Sequence, residues 1–287
     1  MLISTVAFAA MHAAVRHLSG ELHPFEIAFF RNAFGLLVLA PWFLRYGMAP
    51  LRTRRLPLHG LRAGLNIIAM LAFFYALSIT PLARVTSLSF TVPIFATLLA
   101  MVVLGEVVRL RRWVAMFCGF VGTLIILRPG LAELDQGSLL VLLSAALWAC
   151  TLIVIKVLSR TDSSITITCY MVVFMAPLSL VPALWVWQWP TGQQLLWLVA
   201  IGVVGTLGQL IMTQALKEAE TSVVMPFDFF KMIWASMLGF LFFAEVPTVF
   251  IWIGAGIIFV STSYIAYREH KVTRARPPQS VARPPEH

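Results

Sequence analysis

Asp228 and Lys231 stand three residues apart in a stretch, 221–244, that holds no other ionisable residue. An ionisable side chain at mid-bilayer costs roughly 2.5–3.5 kcal/mol on insertion scales, so each one needs a reason. On a helix, residues three apart are neighbours on one face. One reading is a self-compensating ion pair that fixes helix packing. The other is a pair of binding groups for a zwitterion, Lys231 taking a carboxylate and Asp228 an ammonium. At about 1.5 Å per residue, Lys231 lies roughly 15 Å into its apolar stretch, near the midplane.

Further polar residues recur at helical spacing in other apolar stretches. Thr206, Gln209 and Thr213 form one stripe, Thr86, Ser89, Pro93 and Thr97 a second, and Ser144, Trp148 and Thr151 a third. His12 and Asn66 each stand alone in an apolar run, and Phe90 adjoins Ser89. Singly, such residues serve as hydrogen-bond glue between helices, at about 0.6 kcal/mol each. Together they predict a polar-lined cavity. Arg31 lies near the start of its stretch, where snorkelling to the outer surface is the simplest account and pairing with an inward acid is the alternative.

The elements that must position these groups follow from composition. Of 287 residues, 60% are hydrophobic and 11% charged. Soluble domains run nearer a quarter charged. A hydrocarbon core of about 30 Å takes roughly 20 apolar residues per helical span. Polar breaks divide the chain into spans at 2–18, 25–44, 58–79, 85–104, 112–128, 138–158, 165–187, 194–216, 221–244 and 248–267. The expected fold is an all-α polytopic membrane protein of ten transmembrane helices. Residues 268–287, with two Arg-Pro-Pro runs, read as a disordered tail. Tryptophans 42, 113, 185, 187, 189 and 252 fall near span ends, as interfacial anchors do.

The net charge of +9 comes from the loops. With the N-terminus in the cytoplasm, sixteen of the Lys and Arg residues fall on the inner side, from Arg45 to the tail. Only Arg16, Arg84 and Arg128 fall outside. That bias sets both termini in the cytoplasm of a bacterial inner membrane. It also explains the basic balance without any nucleic-acid partner.

Two stretches align without a gap at an offset of 139, Glu106 onto Glu245. Ala76-Leu77 then falls on Ala215-Leu216, Val85 on Val224, Phe90 on Phe229 and Trp113 on Trp252. Gly105 falls on Ala244, a small-for-small exchange that reads as neutral. A five-helix repeat must sit upside down in its second copy, as in secondary transporters with a binding site between the halves. The expected division is 1–130 for the first repeat, 131–267 for the second and 268–287 for the tail. By the same offset Ile67, Met70 and Phe74 stand opposite Thr206, Gln209 and Thr213. One cavity wall should then be hydrogen-bonding and the other apolar. The candidate substrate-binding set is His12, Asn66, Met70, Phe74, Ser89, Phe90, Trp148, Gln209, Thr213, Asp228 and Lys231. Glu106 and Glu245 read as interfacial acids, with a gating role as the minority reading. Ala115, Gly119 and Gly122, with Gly254 and Ser261, read as a packing stripe inside a monomer or a weak homodimer.

The run from Tyr75 to Ile126 includes Pro81-Leu-Ala, Phe90-Thr-Val-Pro93, Leu104-Gly-Glu106 and Arg112-Trp113. It resembles the drug/metabolite transporter superfamily, specifically its EamA-type members. His23-Pro-Phe-Glu with Arg31, and Leu127-Arg-Pro-Gly130, share that likeness. The resemblance implies a secondary carrier for a small amphiphilic metabolite. Within the group the chain looks most like bacterial exporters of amino acids, aromatic ones included. Importers of cofactor-like metabolites such as S-adenosylmethionine or riboflavin are the alternative. An intramembrane enzyme is the rival from another class. Against it, the histidines are scattered and no Gly-x-Ser-x-Gly, His-Glu-x-x-His or Walker motif is present. Cys118, Cys150 and Cys169 make no metal-like spacing. No cofactor or metal is expected, and the partners are a small-molecule substrate and the bilayer.

Overall fold

The computed structural model describes residues 1–47, 51, 53–89, 91–105, 110–127, 136–224, 227–228 and 230–244, with 249, 250, 253, 256, 257 and 260. Among them every regular element is helical. The helices are α1 (Leu2–Leu18), α2 (Pro24–Tyr46), α3 (Leu56–Ile79), α4 (Leu82–Ser89), α5 (Thr91–Leu104) and α6 (Leu110–Leu127). They continue as α7 (Gln136–Leu158), α8 (Ser164–Leu184), α9 (Gly192–Glu218), α10 (Thr221–Val224) and α11 (Phe230–Phe243). Five of them, α2, α3, α7, α8 and α9, are long and apolar enough to cross a membrane, while α1 and α11 are shorter apolar helices.

Within the expected span 85–104 the described residues are helical at 85–89, in α4, and 91–104, in α5; within 221–244 they form α10, a 3₁₀ segment at 227–228 and α11. Most of the tenth expected span, and the tail, lie outside the described residues.

Local sequence sets the helix starts. The His23 ring accepts the Phe25 N–H at 3.3 Å, with Pro24 at the first helical position of α2. Thr191 and Gln194 close a reciprocal capping box on α9. The C-terminal ends of α5 and α11 share a backbone conformation, with φ +67° at Gly105 and +53° at Ala244. The exchange that reads as neutral in sequence is therefore not neutral in the backbone, because left-handed φ crowds a Cβ against the carbonyl. Ala244→Gly is expected to stabilise the protein by about 1 kcal/mol. Thermal unfolding in detergent would show it as a raised midpoint, and an unchanged midpoint would remove the strain argument.

Packing partners come in matched sets. α1 lies on α9 as α3 lies on α7, and α1 meets α11 as α7 meets α5. α2 crosses α9 as α8 crosses α3, and α2 also lies against α8. Two cations in last turns repeat the theme. Arg16 donates to the carbonyls of Leu77 at 3.2 Å and Thr80 at 2.5 Å, at the end of α3. Lys156 donates to those of Leu216 at 2.6 Å and Ala219 at 2.5 Å, at the end of α9. Leu77 and Leu216, like Thr80 and Ala219, are related by the sequence offset. Each cation fills carbonyls that the helix end leaves unbonded and meets the negative end of its dipole.

The outward surface is apolar, with Ile3, Leu37, Val102, Phe117, Leu196 and Phe242 all exposed. Trp185 and Trp189 are exposed beyond α8, whereas Trp187 packs on Phe29 and Phe30. Gly119 and Gly122 of the small-residue stripe are buried, while Gly254 and Ser261 lie outside the described residues.

One polar knot joins the chain just before α3 to the α7–α8 connection. Thr53 Oγ1 donates to Asp162 Oδ2 at 2.7 Å, and His59 Nε2 meets the same oxygen at 2.7 Å. Burial pushes the Asp162 carboxyl up, but these hydrogen bonds outweigh it and hold the group below its usual range.

Candidate functional site

The helices enclose a central cavity with about 820 Å³ of space free of atoms, part of it continuous with solvent. Helical periodicity builds its walls. α3 contributes Asn66, Ala69, Met70, Phe73 and Phe74, a stripe at intervals of three and four. α7 contributes Ser144, Ala145, Trp148 and Leu152, and α1 contributes Phe8, Met11 and His12. Arg31, Ser89, Val92 and Met212 complete the lining with Asp228 and Lys231.

Aromatic and thioether groups dominate the surface. The His12 ring lies 4.7 Å from Phe73, tilted, and 6.4 Å from Phe8, stacked. No hydrogen bond holds His12 to another described residue. The hydroxyls are already engaged: Ser144 donates across to the Ala69 carbonyl of α3 at 2.8 Å, and Ser89 to that of Thr86 in its own helix at 2.6 Å. Asn66 Nδ2 lies 3.0 Å from the Met175 sulfur.

Lys231 Nζ donates to Asp228 Oδ2 at 2.9 Å and sits 5.6 Å above the Phe8 ring. Asp228 lies in a 3₁₀ segment at 227–228, ahead of α11, and its contact with Lys231 keeps the three-residue spacing read from the sequence. Both charges of the pair are engaged with each other.

Of the eleven candidate residues, the cavity gathers His12, Asn66, Met70, Phe74, Ser89, Trp148, Asp228 and Lys231. Phe90, like Glu106 and Glu245, lies outside the described residues. Gln209 and Thr213 do not line the cavity, and neither does Thr206, so the expected hydrogen-bonding wall is not formed by α9. All three are fully buried because their face of α9 packs on α1 and α2. Thr213 Oγ1 donates back to the Gln209 carbonyl at 2.8 Å, and Gln209 Nε2 reaches Thr213 Oγ1 at 3.3 Å. Thr213 and the Gln209 amide N–H are thus bonded within their own helix, while Thr206 Oγ1 and Gln209 Oε1 are buried without a partner among the described residues.

Arg31 corrects the sequence reading in the other direction. Its side chain is 5% exposed and faces the cavity instead of snorkelling outward. Gly205 on α9 makes the room, since a Cβ there would come within 3.2 Å of Arg31 Nε. Register is the signal that finds it: Leu37 and Leu44 are exposed, and at about 100° per residue Arg31 falls on the opposite face of α2. Phe8, Met11 and Phe73 were likewise absent from the candidate set, although each continues a cavity stripe by one turn or less.

The EamA-like transporter family model matches residues 1–128 and 135–267. A riboflavin transporter of Vibrio cholerae is 34% identical over 96% of this chain and 94% of its own length. An S-adenosylmethionine uptake transporter of Rickettsia bellii is 32% identical over 94% of this chain and 93% of its own. A solved crystal structure superposes with a TM-score of 0.76 at 18% identity, covering 95% of this chain and 99% of the other, a likeness of fold.

Proposed function

The chain belongs to the EamA-like transporter family, and from that premise we propose that it is a secondary transporter taking up a cofactor-like metabolite across the bacterial inner membrane. Its ligand is a flat heteroaromatic molecule with a polar arm. The observation that carries this reading is the central cavity, whose lining joins the rings of Phe8, His12, Phe73, Phe74 and Trp148 to a few charged groups. Pockets of that kind use aromatic walls for affinity and sparse polar groups for orientation. Amino-acid export, the main expectation from the sequence, gives way to its alternative, because the two relatives described above carry the names of a riboflavin transporter and an S-adenosylmethionine uptake transporter.

The mechanism is alternating access by two inverted five-helix halves, 1–130 and 131–267, with both termini in the cytoplasm. Support for the halves comes from the matched packing sets and from the paired caps, Arg16 on α3 and Lys156 on α9. Inverted halves that rock about a shared site expose it to each side in turn.

The test is counterflow in proteoliposomes with labelled riboflavin, S-adenosylmethionine and phenylalanine. Saturable exchange of a cofactor-like solute, with none of phenylalanine, is the expected outcome. Exchange of phenylalanine alone would return the substrate to the amino acids. Chemical conversion of a solute without its translocation would favour an enzyme.

A further inference from the structure

Among the described residues, charge inside the cavity is unbalanced. Their lining holds two cations, Arg31 and Lys231, and one acid, Asp228. The acid is committed to Lys231 at 2.9 Å, and the same ammonium also rests over the Phe8 ring. Arg31 has no carboxylate among the described residues. Among those residues its hydrogen bond runs from Nη1 to the neutral Asn32 amide oxygen at 2.9 Å, and its Nε is buried with no partner among them.

A guanidinium shielded from water and left without an anion is costly, and it presents a planar fork of donors suited to two oxygens of one oxyanion. α9 runs close beside it: a Cβ at Gly205 would come within 3.2 Å of Arg31 Nε, and one at Gly202 within 3.0 Å of the Arg31 carbonyl oxygen. His12 and Phe73 stand in the same cavity as a surface for a flat ring.

We infer that Arg31 is the oxyanion-binding residue of the transport site, so that the ligand carries a carboxylate or a phosphate on an aromatic-bearing skeleton. This rests on the cavity being a transport site for such a skeleton. The bound oxyanion supplies the counter-charge that the protein withholds, with Lys231 kept neutralised by Asp228. A carboxylate and a phosphate share this chemistry, and two pairs of probes separate them.

Flavin mononucleotide against riboflavin adds one phosphate to the same ring. S-adenosylmethionine against its methyl ester removes one carboxylate. Binding to the purified full-length protein is measured by isothermal titration, beside counterflow of each probe. In one pair the member with the oxyanion should bind about ten- to a hundred-fold more tightly, as a charge-assisted contact warrants. Which pair it is names the oxyanion.

Arg31→Gln should bring that ratio close to one while changing the affinity of the other member little. Arg31→Lys, which keeps the charge but not the fork, should lower the ratio several-fold. The lysine variant decides the matter if the glutamine variant does not fold. A ratio unchanged in either folded variant overturns the assignment. So does wild-type protein that binds both members of both pairs equally, and if it still exchanges them by counterflow the transport reading survives. Wild-type protein that neither binds nor exchanges any probe defeats both.

Discussion

Lys231→Met is expected to unfold or abolish the transporter, and Asp228→Asn/Lys231→Met to restore a folded and active one. The pair is joined at 2.9 Å, with side chains only 12% and 9% exposed. Removing one partner of a buried pair leaves an uncompensated charge, at a cost of roughly 3–5 kcal/mol. Methionine preserves the length and apolar stem of the lysine, so packing against Phe8 changes little and the lost charge dominates. In the double variant no charge remains to be compensated, and asparagine keeps a polar group ahead of α11. Stability should then return to within about 1 kcal/mol of the parent, since neutral replacement of a buried pair is often tolerated. Uptake should return with it, because Arg31 holds the oxyanion and the pair serves to fasten α11 against α1. The measurements are thermal unfolding in detergent and counterflow in proteoliposomes. A double variant that folds normally yet moves no solute would show that the pair acts on the ligand or the gate directly.

Composition and spacing went far for this chain because lipid imposes a strict rule: backbone polar groups must be satisfied inside each helix. Helix existence was therefore legible, as in the match of 194–216 with α9 or 138–158 with α7. Facing was less so. In water an apolar stripe marks the core, but here α2 meets lipid through Leu37 and neighbouring helices through Ile27, and both are apolar. Polar residues became the only markers of the interior, and they serve two masters. Asn66, Ser89 and Trp148 stand at the cavity, while Gln209 and Thr213 are equally polar and equally periodic yet bond within α9. Nothing in their local sequence distinguishes the two cases, because the difference lies in which helices α9 meets. Arg31 escapes a reading from sequence for the complementary reason. Snorkelling is an argument from depth alone, and the glycine that opens room for the guanidinium lies far along the chain, on another helix. The offset of 139 located the matched helix ends, but not that Gly105 and Ala244 share a left-handed backbone.

Gly202→Ala is expected to be the most damaging single-methyl addition in the α2–α9 crossing. A Cβ at Gly202 would stand 2.7 Å from the Phe34 Cβ, 3.0 Å from the Arg31 carbonyl oxygen and 3.1 Å from the Gly35 nitrogen. Two of those atoms are backbone and the third is fixed to backbone, so no rotamer change relieves the overlap. Trimming Phe34 to alanine leaves the clashing atom in place and should not rescue the variant. The helices must move apart, and overpacking of this kind costs about 1–3 kcal/mol. The site suffers as well, since separation of α2 from α9 withdraws the backbone that carries Arg31 from the cavity. Gly205→Ala should be milder, because there the new methyl meets the Met11 thioether and Arg31 Nε, both on flexible side chains. Gly64→Ala on α3 is the control: nothing lies within 4 Å of its Cβ. The gain in helix propensity there should stabilise the protein by roughly 0.5–1 kcal/mol. Unfolding midpoints should therefore rank Gly64→Ala above the parent, then Gly205→Ala, then Gly202→Ala, with counterflow lost most completely in the last. If Gly202→Ala proved as stable and as active as Gly64→Ala, the close α2–α9 crossing would not be what holds Arg31 at the cavity.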